Sequence, residues 1–119
     1  MTIAEPPADA RPAIDEIRQV GGDELVRELA ATFLRFATAH VPRLCEAAEA
    51  GDLETGAIIA HTLKSSSRQF GAVALGEACA SAELAARGGD AAGFLARAED
   101  ATSAFERTRP WMQQLSATA

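Results

Sequence analysis

At 119 residues the chain is long enough for one domain built on one core, and short for two. It is 48% hydrophobic and 24% charged, rich in Ala, with five Phe, one Trp and no Tyr, a composition that favours helix over sheet. The net charge of −6 argues against nucleic acid, whose phosphates need a basic face, and directs attention to protein partners.

Residues 1–11, with Pro6 and Pro7 among small and acidic residues, read as a disordered lead-in. Pro12 suits the first turn of a short helix whose apolar face is Ile14, Ile17 and Val20. Gly21 and Gly22 end it, and Asp23 is placed to cap the next. That second helix runs over about 23–50. At about 100° per residue, Leu25, Val26, Leu29, Phe33, Phe36, Ala37, His40 and Leu44 fall on one side. Pro42 is expected to kink it.

After Gly51 and a capping Asp52 comes a third helix over 53–70, closed by Gly71. A fourth, over about 72–87, carries the stripe Ala72, Leu75, Cys79, Ala82 and Ala86. Gly88 and Gly89 stop it, and Asp90 caps a fifth over about 91–115. Phe94, Ala98, Ala101, Phe105, Met112 and Leu115 line that last helix, and Pro110 is expected to kink it late. Tight turns make successive helices antiparallel neighbours. The expected fold is therefore all-α: an antiparallel up-down four-helix bundle with a short extra N-terminal helix, one domain over 12–117. Cys45 and Cys79 are too few for a disulfide scaffold or a zinc site, and read as buried reduced thiols. No apolar run reaches membrane-spanning length and no signal-peptide segment opens the chain, so a cytoplasmic protein is expected.

The third helix carries the stretch His61-Thr62-Leu63-Lys64-Ser65-Ser66-Ser67. On the helical wheel Ile59, Leu63, Ser66 and Phe70 cluster opposite His61, which projects to solvent among Glu54, Ala57, Ile58, Lys64, Ser65 and Arg68. Ala57 and Ser65 are small and leave room for a protein to approach, while Lys64 and Arg68 make the face locally positive. Ile58 is either a docking residue or a border of the core. Exposed histidines are common on helices; His40 differs in lying on an apolar stripe, where it packs. His61 lies ten residues before Gly71 and Glu83 twelve after, so an antiparallel turn sets them at about one height. A carboxylate there would take the Nδ1 hydrogen and leave Nε2 as a nucleophile, with Arg87 extending the positive rim. Glu83 and Arg87 also read simply as a surface i,i+4 pair.

The run from His61 to Ser67, followed by Gly71-Ala72, Leu75, Cys79 and Glu83, resembles the signature of histidine-containing phosphotransfer (HPt) domains, H-x-L-K-G-S-S followed by G-A, L, C and Glu or Gln. The resemblance implies a helical bundle whose exposed histidine carries a phosphoryl group between aspartates of receiver domains. His61 matches the phosphorylated position, Lys64 the lysine that attracts the phosphoryl group, Glu83 the residue that orients the imidazole, and Arg87 a frequently basic position. Ser65 departs from the usual glycine and bears on partner choice.

A relay between the receiver of a hybrid sensor kinase and a response regulator is thus expected. It would involve no kinase activity of the chain's own and no resident cofactor or metal, Mg²⁺ coming with the receiver. Binding would fall to Ala57, Ile58, Ser65, Arg68 and Arg87. A monomer is expected, as no extra helical segment for an obligate dimer is visible. The rival functions are a non-catalytic helical adaptor for a receiver and a phosphate sink.

Overall fold

The computed structural model describes residues 4–117. Its helices are α1 (Arg11–Ala50), α2 (Leu53–Phe70), α3 (Val73–Arg87) and α4 (Ala91–Ala117), with a 3-10 turn at Ala8–Ala10. Packing runs α1 on α2, α2 on α3, α3 on α4 and α4 back on α1, which closes an all-α four-helix bundle.

The expected short helix is the beginning of α1. Within that helix only Gly22 leaves helical dihedrals (φ 73°, ψ −169°), a left-handed φ that glycine adopts at little cost. Beyond the break Asp23 does not cap: its carboxylate accepts from Arg18 Nε at 2.7 Å, tying the two segments together. Ile14 is buried and Ile17 half-buried, but Val20, next to the break, is exposed.

Pro42 leaves the dihedrals of α1 helical. It sits on the exposed face, as does Thr38 one turn earlier, so the carbonyl that loses its donor can turn to water. Asp52 and Asp90 do cap, accepting from Thr55 N at 3.2 Å and Gly93 N at 2.8 Å.

The lead-in expected over 1–11 is ordered sooner than its prolines suggest; residues 1–3 lie outside the described residues. Ala10 is fully buried and α1 begins at Arg11. The reason lies at Gly71, in the turn between α2 and α3. A Cβ there would stand 2.8 Å from the carbonyl oxygen of Ala10, so the bare glycine lets the start of α1 close over that turn.

The core is filled by Leu44, Leu63, Leu75, Phe94 and Met112, with Cys79 among them. Phe33 of α1 stacks on Phe70 of α2 at 6.3 Å. His40 packs as expected: half-buried, stacked on Phe36, its Nδ1–H donating to the Phe36 carbonyl at 2.9 Å. Among the described residues no helix is long and apolar enough to cross a membrane.

Candidate functional site

Helix α2 positions the site through the arc it buries. Gly56, Ala57, Ala60, Leu63, Ser67 and Phe70 face inward. On the wheel that arc is centred about 60° from the pole opposite His61. The offset arises because α2 packs on two neighbours, α1 and α3, and it corrects two expectations. Ala57, expected beside His61 on the open surface, is only 4% exposed. Ser67, rather than Ser66, is the fully buried serine, and its hydroxyl finds no partner among the described residues.

The same offset turns His61 toward the seam with α3. Its side chain is 55% exposed, and its Nδ1 lies 3.0 Å from Glu83 Oε2. Glu83 is a hub: Lys64 Nζ donates to Oε1 at 2.7 Å and Arg87 Nε to Oε2 at 2.9 Å, while the carboxylate's side chain is only 10% exposed. Burial alone would raise the Glu83 carboxyl. The hydrogen bonds from Lys64, Arg87 and His61, together with the Lys64 charge, outweigh it and hold the group at about 2. An ionised carboxylate only accepts, so the hydrogen between it and the imidazole belongs to Nδ1. When the ring is neutral, the lone pair is then on Nε2, the nitrogen not engaged by Glu83.

The turn at Gly71 thus brings His61, Lys64, Glu83 and Arg87 together as the register of the two helices predicts. Arg68 is exposed one turn beyond Lys64 and joins no ion pair among the described residues; its stem runs beside Gly76 of α3. Ser65 is exposed and makes no hydrogen bond among the described residues, whereas Thr62 back-bonds to the Ile58 carbonyl at 3.0 Å. Ile58 stands out into solvent and does not border the core.

Beside Ile58, toward the start of α2, the seam forms an open depression between Leu53, Glu54, Ile58 and Arg87, floored by Ala57 and Ala86. Sequence reasoning missed Leu84, which is the other large exposed apolar side chain on this hairpin. Its signal is a leucine off the Leu75–Cys79–Ala82–Ala86 stripe. Among the described residues no three metal-ligating side chains cluster.

A family model for the Hpt domain matches residues 28–118. The chain belongs to the Hpt domain family. It is accordingly a histidine-containing phosphotransfer domain of two-component signalling, a family of phosphocarriers whose partners are receiver domains. Searches of curated proteins and of solved structures returned no match. The Hpt match begins inside α1, downstream of the Gly22 break, so the first segment of α1 lies outside it.

Proposed function

We propose that His61 accepts a phosphoryl group from the aspartyl phosphate of a hybrid sensor kinase's receiver and passes it to the aspartate of a response regulator. The observation that carries this reading is an exposed imidazole whose Nδ1 hydrogen is held by a buried, ionised carboxylate. The Nε2 lone pair attacks phosphorus, the N–P bond forms, and the P–O bond breaks with its electron pair returning to the receiver's carboxylate. The ring keeps its Nδ1 hydrogen and becomes cationic, and the Glu83 anion opposite it favours that charge.

In such a loose transition state the protein's task is in-line positioning and charge compensation. Mg²⁺ would enter with the receiver's own acidic pocket. The chain has no kinase role in this scheme. Ile58 and Leu84 offer apolar anchors for the receiver, Ser65 the small surface beside the imidazole, and Arg68 a charged rim; Ala57 serves from below, as the floor of the depression.

The test is incubation with a receiver carrying an aspartyl phosphate. The wild type is expected to take up acid-labile, alkali-stable label, and His61→Gln none. An unlabelled wild type would leave only the adaptor; label persisting in His61→Gln would move the site elsewhere. Onward transfer to a second receiver separates relay from sink.

A further inference from the structure

We propose that residues 4–21 form a strap that closes over the α2–α3 turn when α1 bends at Gly22, and lifts off as a unit when α1 straightens, leaving the bundle folded.

The bend is built from two glycines that serve different needs. Gly22 combines φ 73° with ψ −169°, a region open to glycine almost alone. A Cβ there would meet nothing within 4 Å, so the backbone angle, not space, calls for glycine. At Gly21 the reason is space: a Cβ would stand 2.6 Å from Cβ and Cδ2 of Leu25. The Arg18–Asp23 pair, at 2.7 Å, depends on the bend. In a continuous helix, residues five apart stand about 140° apart around the axis, whereas i,i+3 and i,i+4 partners share a face. Arg18 is thus a clasp for the bent form. Its other partner, Asp15 at 2.9 Å, is one that a straight helix would keep.

What holds the strap down is thin. Its buried anchors are Ala10 and Ile14, with Ile17 half-buried. Beyond the backbone of α1, every hydrogen bond and ion pair of residues 4–21 among the described residues stays within the strap or ends on Asp23. None crosses to α2, α3 or α4. Open clefts undercut both edges. One, of about 400 Å³, lies between Ile17 and the rings of Phe33, Phe36 and Phe70. The other, of about 290 Å³, lies between Pro7 and Asp9 on one side and Val73, Ala104 and Trp111 on the other. A segment with few apolar anchors and no polar tie to its base opens before the core does. Opening takes Ala10 and Ala13 away from the Gly71 turn and uncovers Phe70 and Ala72. The strap therefore controls access to the turn end of the hairpin that carries His61 and Glu83.

Trp111, the chain's one tryptophan, is buried beside the strap and reads its position by fluorescence. In the full chain, Gly22→Ala removes the bend, because alanine does not hold the Gly22 dihedrals and favours continuous helix. Its Trp111 emission is expected to shift to the red and to be quenched more strongly by acrylamide than that of the wild type. Cys79, followed in a Cys45→Ala background, should stay as unreactive toward a thiol reagent as it is without Gly22→Ala. Far-UV circular dichroism should show no loss of helix. Raising salt should increase quenching in the wild type and not in Arg18→Gln, since the clasp is exposed and screened. A Trp111 as shielded in Gly22→Ala as in the wild type overturns the hinge. Trp111 and Cys79 becoming accessible together overturns the strap as a separate unit. The same salt response in Arg18→Gln as in the wild type overturns the role of Arg18 as the clasp.

Discussion

Glu83 does two things at once: it sets the tautomer of His61, and it carries charge inside a seam where burial disfavours charge. Because its carboxyl is held at about 2 in the folded protein, against an ordinary 4.5, it stabilises the fold above pH 4.5, and that stabilisation is lost as pH falls toward 2. Glu83→Gln should therefore flatten the fall of the urea midpoint between about pH 4.5 and 2. At neutral pH the same variant should be less stable by about 1–3 kcal/mol, since the Lys64 ammonium keeps an acceptor but loses its anion. A variant as acid-sensitive as the wild type would show that another carboxylate governs this range. Much of this site is legible in the sequence, because the ten- and twelve-residue offsets from Gly71 fix which side chains meet across a turn. Ala57 is not legible. Its burial depends on how far α3 rotates the inward arc of α2, and a single-helix wheel has no knowledge of a second neighbour.

At the level of elements, chemistry that acts locally could be anticipated and chemistry that acts through tertiary contacts could not. The Asp52 and Asp90 caps depend on three residues each and formed as the sequence indicates. Asp23 has the same chemistry, but Arg18 across the Gly22 break competes for it. Pro42 reads as a kink by its missing donor alone, yet α1 keeps helical dihedrals there, with Val41 and Leu44 buried close by. The ordering of Ala10 is likewise a tertiary effect, since it requires the turn at Gly71, about sixty residues away, to lack a side chain. Gly71→Ala is therefore expected to be the more damaging for two reasons. Its φ of 81° is left-handed, and the added methyl would meet the Ala10 carbonyl and the Ala13 side chain at 3.1 Å or less. Together these should cost about 2–4 kcal/mol, read as a lowered urea midpoint with the slope unchanged. A midpoint within error of the wild type would mean that the α2–α3 turn does not bear on the start of α1.

Over the whole molecule, the four helices share one core made largely of small side chains, so an opening that exposes its centre must separate several helices together. The two cysteines report on this. Cys79 is fully buried between Leu75 and Ala82 on α3, and burial pushes its thiol up to about 12, so both access and thiolate are denied to it while the bundle is folded. Cys45 is half-buried at the α1–α4 seam, its sulfur 3.0 Å from the Thr102 hydroxyl, where a small local opening is enough to expose it. With a thiol reagent in native buffer, Cys45 should react first. Cys79, followed in a Cys45→Ala background, should react only through global unfolding. Its rate should then track stability: combining that background with Gly71→Ala should speed it by the unfolding equilibrium, roughly 30-fold or more for the loss of stability expected above. If Cys79 instead reacts at the same rate with and without Gly71→Ala, α3 detaches from the bundle by itself. In that case the Glu83–His61 pairing would open with it, and His61 would lose its fixed tautomer in a fraction of the molecules.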